Sequence, residues 1–138
     1  MSIILPNLIV GSFHESFDTV ESLAFTHVLN VASECVVSDR VNLVYYKIGV
    51  DDDCPKTDMR VIIDDCLHFI KKAHAENGIV FVHCLNGVSR SVCVVLAYLV
   101  FEHKMSFADA YDLVLRKRPI IDVYPLYLNQ IIELVELN

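Results

Sequence analysis

One short segment of the chain holds most of the residues that could perform chemistry. Positions 83–91 read His-Cys-Leu-Asn-Gly-Val-Ser-Arg-Ser. Arg90 offers a planar guanidinium that can hold two oxygens of a phosphate, and Gly87 permits a backbone conformation in which consecutive amides turn inward around an anion. Cys84 supplies a sulfur that nearby positive charge favours as a nucleophilic thiolate, although a cysteine there could also be an inert buried thiol. The segment therefore predicts a loop that binds phosphate and aims a nucleophile at it.

The residues on either side of this segment predict how it is positioned. The apolar run 79–82 is typical of a buried strand, and the stretch 91–103, apolar almost all round, is typical of a buried helix. A loop between a strand and a helix N-terminus is surrounded by unpaired backbone N–H groups and by the positive end of the helix dipole, and both attract a dianion. The predicted substrate-binding residues are Leu85, Asn86, Gly87, Val88, Ser89 and Arg90.

The rest of the chain alternates strand-like and helix-like patterns. Short β-branched runs predict further strands at 8–10, 26–31 and 43–48, and helical spacing of apolar residues predicts helices at 58–76, 106–117 and 126–137. This alternation predicts an α/β fold with a central, mostly parallel sheet flanked by helices, in which ligands bind at the carboxyl ends of strands. The phosphate-binding loop then lies between a central strand and a buried helix.

Length and charge narrow the class of protein. The 138 residues suit a single domain covering 1–138. The formal net charge of -7 argues against nucleic acid or an anionic membrane as partner. The longest apolar run, 92–101, is too short to span a bilayer, and the first residues lack the pattern of a secretion signal. We therefore expect a protein of the cytosol or the nucleus.

Cysteine and histidine spacing predicts neither disulfides nor a metal site. The five cysteines are an odd number without C-x-x-C spacing, and the histidines show no metal-ligand pattern. We expect buried thiols at Cys35, Cys66 and Cys93, and a reaction that needs no metal and no cofactor.

Residues 83–91 resemble the phosphate-binding loop of cysteine-dependent protein phosphatases, and the Ser-Arg-Ser ending looks most like the dual-specificity branch. The resemblance extends to the stretches 8–12, 26–32, 46–48 and 117–119. It implies a small dual-specificity protein phosphatase of the type that consists of the catalytic domain. Such an enzyme would act on phosphotyrosine and on phosphoserine or phosphothreonine in protein partners, and we expect it to be monomeric.

The same resemblance implies a role for each matching residue. Cys84 would attack phosphorus to form a phosphocysteine while Arg90 holds the phosphoryl oxygens. His83 would tune the thiolate, although it could equally be a hydrogen-bonded core histidine. Ser91 would help the thiolate to leave in the second step, and Asn30 would support the site from behind. Ser89 could simply bond loop amides.

A run of three carboxylates, Asp51-Asp52-Asp53, is the candidate source of the proton that the leaving oxygen needs. Adjacent carboxylates repel, which favours protonation of one of them, but the run could also be only a solvated turn. Related phosphatases commonly carry their acid in an Asp-x-Pro context, which selects Asp53, whereas counting forward from strand 46–48 favours Asp52. We take Asp53 as the general acid and Asp52 as the alternative.

Two departures from the family pattern affect the rim of the site. Asn86 stands where the family usually carries alanine, and residues 121–127 replace the usual proline-asparagine and glycine-phenylalanine pattern. The wall of the site that residues 121–127 would form therefore cannot be inferred from the family. The basic trio Arg116, Lys117 and Arg118 could contact a phosphorylated substrate or form a solvated helix end.

Two other functions compete with a protein phosphatase. A phosphoinositide or RNA 5′-phosphatase on the same scaffold would need basic residues in the loop, yet Leu85, Asn86 and Val88 are neutral. A phosphate-binding module without activity would be indicated by loss of Cys84 or Arg90, and both are present.

Overall fold

A single sheet of five strands organises the part of the chain that the structure, a computed structural model, describes, namely residues 1–17, 25–37 and 42–137. The strands are β1 (Ser2–Leu5), β2 (Leu8–Gly11), β3 (His27–Asn30), β4 (Val44–Lys47) and β5 (Val80–His83). Their order in the sheet is β1-β2-β5-β3-β4, with β1 antiparallel to β2 and the other neighbours parallel. The expected mostly parallel sheet is confirmed, and β5, which precedes the phosphate-binding loop, lies at its centre.

Strand β1 was not predicted. It pairs with β2 across the two-residue turn formed by Pro6 and Asn7, so that Leu5 lies opposite Leu8. Of its four residues only Ile4 is buried. An edge strand of four residues is too short for the alternation of apolar and polar residues to be recognised in the sequence. The predicted strands at 8–10, 26–31, 43–48 and 79–82 all form, each within about two residues of the predicted ends.

Four helices follow the predicted pattern: α1 (Met59–Ala75), α2 (Arg90–Phe101), α3 (Phe107–Lys117) and α4 (Pro125–Glu136). Asp58 caps α1 by accepting from the backbone N–H of Arg60, and Ser106 caps α3 by accepting from the N–H of Asp109. Among the described residues, no helix combines the length and the apolar character needed to cross a membrane.

Helix α2 lies at the centre of the main hydrophobic core. Its residues 91–99 are all buried, as the apolar sequence predicted, and α1, α3 and α4 pack against it. Because side chains alternate along a strand, Val80 and Val82 of β5 face this core, whereas Phe81 joins a smaller cluster with Ile9 and Val28 on the other face. Burial on both sides fixes the end of β5, from which the loop starts.

Candidate active site

The predicted phosphate-binding loop, residues 84–89, joins the end of β5 to the first residue of α2. Cys84 is 2% exposed, and its Sγ lies 3.2 Å from the Oγ of Ser91. Because Ser91 belongs to the first turn of α2, the sulfur lies beside the helix N-terminus, where backbone N–H groups lack helical partners. The structure thus brings together the strand end, the thiol and the positive end of a buried helix.

Gly87 has a positive φ of 69° and leaves no space for a side chain. A Cβ at this position would lie 2.4 Å from the carbonyl carbon of Gly11 and 2.5 Å from its oxygen. Since both contacts are with backbone atoms of β2, the clash could not be relieved by a rotamer change. The loop backbone therefore requires glycine both for its conformation and for its packing against β2.

Backbone N–H groups outside the loop donate hydrogen bonds to its carbonyls and so orient its amides. The carbonyl of Leu85 accepts from the N–H of Phe13 at 3.0 Å, and that of Val88 accepts from the N–H of Asp122 at 2.9 Å. In a trans peptide the N–H points away from the C=O of the same unit. The N–H groups that follow these two carbonyls therefore point toward the opposite side of the loop. There they can donate hydrogen bonds to a bound anion.

Arg118 supports the same loop from behind. Arg118 is 5% exposed, and its guanidinium donates to the carbonyl of Gly87 from Nε at 2.7 Å and to Oε1 of Glu15 from Nη2 at 3.0 Å. Burial lowers the pKa of Arg118 from its ordinary value. The interpretation of Arg118 as part of a solvated helix end is wrong: helix α3 ends at Lys117, and the residue before Pro119 turns its side chain inward.

Arg90 is the most constrained side chain of the site. It is 1% exposed, and a carboxylate holds its end: Nη1 donates to Oε1 of Glu34 at 2.7 Å and Nη2 donates to Oε2 at 2.8 Å. Nη1 also donates to the carbonyl of Val50 at 2.7 Å. The Nε atom is buried and makes no hydrogen bond. Of the five N–H donors of Arg90, the two left over, on Nε and Nη2, share one edge of the guanidinium. Such an edge can bind a phosphate through two oxygens.

Glu34 was missed by the sequence analysis. The hydrogen bond from Arg90 is the main cause that holds the pKa of Glu34 below its usual range, whereas partial burial acts in the opposite direction. Asn30 shapes the turn that carries this glutamate, because its Nδ2 donates to the carbonyl of Cys35 at 2.9 Å and its Oδ1 accepts from the N–H of Ala32 at 3.0 Å. Asn30 thus supports the turn that carries Glu34, and Glu34 in turn contacts Arg90.

His83 and Ser89 contact the site through backbone groups. The buried Nδ1 of His83 lies 3.0 Å from the carbonyl of Cys84, and since a carbonyl only accepts, Nδ1 carries the proton. Burial lowers the pKa of His83, so the ring is neutral near pH 7. The Oγ of Ser89 accepts from the N–H of Tyr124 at 2.9 Å, outside the loop, so its partner differs from the loop amides that the sequence suggested.

The three carboxylates of the acidic run occupy different positions. Asp51 accepts from the Oγ of Ser33 at 2.6 Å. Asp52 places Oδ1 at 3.5 Å from the Nε of Arg90, the nitrogen that has no hydrogen bond. Asp53 is exposed and has a positive φ of 43°. Of this run, Asp52, the alternative in the sequence analysis, is therefore the residue whose carboxylate lies beside Arg90.

Tyr127 was also missed, and it holds the acidic run from the other side. Its side chain, on α4, is fully buried, its hydroxyl donates to the carbonyl of Asp51 at 2.6 Å, and the hydroxyl oxygen accepts from the N–H of Cys54 at 3.1 Å.

The members of the basic trio have different surroundings. Arg116 pairs with Asp112 on the surface of α3, whereas Arg118 supports the loop.

Cys35, Cys66 and Cys93 are buried free thiols. Burial raises the pKa of Cys66 to about 12 and raises the pKa of Cys93 and of Cys35, which keeps these thiols protonated. The expectation of buried thiols at these three positions is confirmed.

Comparison with known proteins gives consistent matches. The family model "Dual specificity phosphatase, catalytic domain" matches residues 8–136. The chain is 40% identical over 120 residues to dual specificity protein phosphatase 1B of Arabidopsis thaliana, covering 86% of this chain and 71% of the relative. It is 34% identical over 135 residues to dual specificity protein phosphatase 1 of the same plant, covering 96% of this chain and 68% of that relative. The crystal structure of human DUSP28 superposes with a TM-score of 0.90 at 25% identity, covering 99% of this chain and 96% of that one.

Proposed function

The chain belongs to the dual specificity phosphatase catalytic domain family and is a protein phosphatase, and from that premise we propose that it hydrolyses phosphotyrosine and phosphoserine or phosphothreonine esters through a phosphocysteine on Cys84. The observation that carries this proposal is the buried edge of Arg90. A buried guanidinium nitrogen without a hydrogen bond is costly unless a ligand supplies the acceptor. That nitrogen belongs to the site that also holds the thiol and the N-terminus of α2.

In the proposed first step, the Cys84 thiolate attacks phosphorus and forms a sulfur–phosphorus bond. The bond between phosphorus and the ester oxygen breaks, and that oxygen leaves with the electron pair. A carboxylic acid donates a proton to it, so that a neutral alcohol or phenol departs. Arg90 and the loop amides hold the three remaining phosphoryl oxygens and neutralise their charge during the transfer.

In the proposed second step, water attacks the phosphocysteine and gives one proton to the carboxylate that served as the acid. The sulfur–phosphorus bond breaks and the thiolate leaves with the electron pair, which restores the enzyme and releases inorganic phosphate. The Ser91 hydroxyl, 3.2 Å from Cys84 Sγ, is placed to donate a hydrogen bond to the departing sulfur. A neutral His83 that donates to the Cys84 carbonyl fixes the backbone from which the sulfur projects.

We propose Asp52 rather than Asp53 as the acid. The 3.5 Å separation between Asp52 Oδ1 and Arg90 Nε supports this assignment, because a proton donor must reach the ester oxygen of a phosphate bound at that edge. Asp53, the residue that the Asp-x-Pro context favours, remains the alternative, and the leaving-group comparison in the Discussion separates the two.

The charges around the site favour phosphoproteins over polyanionic lipids or RNA 5′-phosphates. The loop side chains of Leu85, Asn86 and Val88 carry no charge. Glu34 and Asp52 place two partly exposed carboxylates beside Arg90, and these repel additional phosphates on a substrate. A phosphate-binding module without catalysis would not require a thiol placed beside Ser91 at the helix N-terminus.

We also propose that residues 1–138 act as one catalytic unit and as a monomer in the cytosol or the nucleus. Helix α2, at whose N-terminus the site lies, belongs to one continuous hydrophobic core. A reducing compartment is required because a thiolate nucleophile is inactive once it is oxidised.

The test is rapid-quench measurement with phosphotyrosine and phosphothreonine peptides, labelled at phosphorus, for the unmodified chain and for Cys84→Ser. We expect labelled protein to be trapped with the unmodified chain, and turnover to fall by about 10⁴-fold or more in Cys84→Ser. Cys66→Ala, which removes a buried thiol of α1, is the matched control and should keep its turnover. Near-normal turnover in Cys84→Ser would contradict the mechanism, and turnover of the tyrosine peptide alone would contradict dual specificity.

A further inference from the structure

Helix α4 contacts both functional loops near its first turn. Tyr124, at its N-cap, donates its backbone N–H to Ser89 of the phosphate-binding loop at 2.9 Å. Tyr127 packs its ring edge-on against that of Tyr124, with centroids 4.9 Å apart, and reaches the acidic run with its hydroxyl. One rigid helix start therefore connects the loop that binds phosphate with the loop that carries the acid.

The Tyr127 hydroxyl makes two hydrogen bonds to the segment 51–54, one as donor and one as acceptor. It donates to the carbonyl of Asp51 at 2.6 Å and accepts from the N–H of Cys54 at 3.1 Å. The two bonded groups flank Asp52 and Asp53, so the hydroxyl closes the turn that displays these carboxylates. Burial raises the pKa of Tyr127, so the hydroxyl retains the proton that it donates.

A second pair of bonds from the same helix extends this contact. Gln130, one turn further along α4, accepts from the N–H of Met59 at 2.8 Å and donates from Nε2 to the carbonyl of Thr57 at 3.0 Å. These bonds fix the start of α1, which follows the acidic run after residues 54–58. The backbone of residues 51–59 is thus held by α4 at both ends, whereas the Asp52 side chain remains partly exposed and close to Arg90.

We propose that Tyr127 is a positioning residue whose hydroxyl holds the Asp51–Cys54 turn so that the acid carboxylate of Asp52 reaches the leaving oxygen. This inference rests on the proposed function, because it assigns Tyr127 to the proton-transfer step of that reaction. Tyr127 does not touch the phosphate; it acts through the backbone on either side of Asp52. Its loss should therefore affect the proton transfer and leave the attack by Cys84 unchanged.

The test is Tyr127→Phe, which removes the hydroxyl and keeps the ring. Two substrates are compared with one enzyme preparation: phenyl phosphate, whose phenol has a pKa of about 10 and needs a proton to leave, and 2,4-dinitrophenyl phosphate, whose phenolate leaves without one. We expect kcat for phenyl phosphate to fall by about 10-fold to 100-fold, and kcat for the dinitrophenyl ester to fall by less than about 3-fold. Tyr111→Phe in α3 is the matched control and should change neither.

The ratio of the two kcat values does not depend on how much of the variant is folded, so a destabilised preparation still gives an answer. A second measurement repeats the substitution in an Asp52→Asn background, in which the hydroxyl has no acid to position. The effect of Tyr127→Phe on phenyl phosphate should then shrink to less than about 3-fold, because residues that act as a unit are not additive.

Two results would overturn the proposal while leaving the phosphatase mechanism in place. Equal losses on both substrates would mean that Tyr127 supports the whole site, and an undiminished effect in the Asp52→Asn background would mean that it does not act through Asp52. Failure of the unmodified chain to hydrolyse either ester would instead overturn the proposed function and, with it, this role.

Discussion

The pairing of Glu34 with Arg90 predicts that a neutral residue at position 34 weakens phosphate binding. Glu34 holds both terminal nitrogens of the guanidinium and leaves the Nε edge free for the ligand. In Glu34→Gln the amide oxygen can still accept from one nitrogen, but the amide NH₂ faces the other nitrogen donor to donor. The guanidinium should then rotate away from the orientation that a phosphate needs.

The size of the effect follows from burial. Removing one partner of a fully buried ion pair costs about 3–5 kcal/mol. Arg90 is 1% exposed but the Glu34 side chain is 39% exposed, and glutamine keeps one acceptor, so both solvent screening and the remaining hydrogen bond reduce the cost. We take about 1.5 kcal/mol, which corresponds to a change of about tenfold in a binding constant.

The assay is inhibition by inorganic phosphate together with kcat/KM for a phosphotyrosine peptide. Both the inhibition constant and KM should rise about tenfold in Glu34→Gln, since in the proposed mechanism Arg90 holds the phosphate in the ground state as well as in the transition state. Glu133→Gln is the matched control, because Glu133 pairs with Arg60 at 2.6 Å on the surface, where such pairs contribute about 0–1 kcal/mol. Equal inhibition constants in the two variants would refute the role of Glu34.

The same pair predicts a pH dependence of stability. The hydrogen bond from Arg90 lowers the pKa of Glu34 in the folded state, so the pair stabilises the fold at pH values above the ordinary pKa of glutamate, and this contribution is lost as the pH falls through the lowered value. The difference in melting temperature between the unmodified chain and Glu34→Gln should be larger at pH 6 than at pH 3. A difference that grows on acidification would contradict this reasoning.

Three further predictions concern other parts of the site. Asp52→Asn should slow the hydrolysis of phenyl phosphate by about 10²-fold or more and that of the dinitrophenyl ester far less. Asp53→Asn should show no such contrast between the two esters. The reverse pattern would assign the role of the acid to Asp53. Gly87→Ala should lower the melting temperature by about 10 °C and abolish activity, whereas Gly49→Ala, whose Cβ would meet its nearest atoms at 3.6 Å, should change little. Phosphopeptides with basic residues beside the phosphorylated position should have a lower KM than phosphopeptides with acidic residues there, because Glu34 and Asp52 lie beside the proposed phosphate site. This difference in KM should shrink with added salt. Equal KM values for the two kinds of peptide would contradict the prediction.

The parts of the site that are local in the chain could be predicted from the sequence. Cys84, Gly87 and Arg90 belong to one strand–loop–helix unit, in which the apolar run of the strand and the buried pattern of the helix already place the loop at a helix N-terminus. The strands and helices could be predicted for the same reason, since their periods are read over a few neighbouring residues. Strand β1 could not, because only one of its four residues is buried.

The supporting side chains could not be predicted, because they depend on contacts between distant segments. Glu34 lies 56 residues from Arg90 in the chain, and Tyr127 lies 76 residues from Asp51. A glutamate in a short turn and a tyrosine on an apolar helix face have no local pattern that reveals their partners. The choice between Asp52 and Asp53 depends on the backbone of a turn in which Asp53 has a positive φ, and sequence spacing does not determine that geometry.

These distant contacts divide the support of the site into separate parts. Glu34 orients the guanidinium of Arg90, Arg118 holds the carbonyl of Gly87 behind the anion-binding amides, and Tyr127 closes the turn that carries Asp52. Because the three groups act on different reacting parts, their losses should appear in different measurements: phosphate affinity for Glu34, the integrity of the loop for Arg118, and leaving-group dependence for Tyr127. A motif of nine residues can therefore define the reaction, while its rate on weakly acidic leaving groups depends on a helix whose residues lie outside that motif.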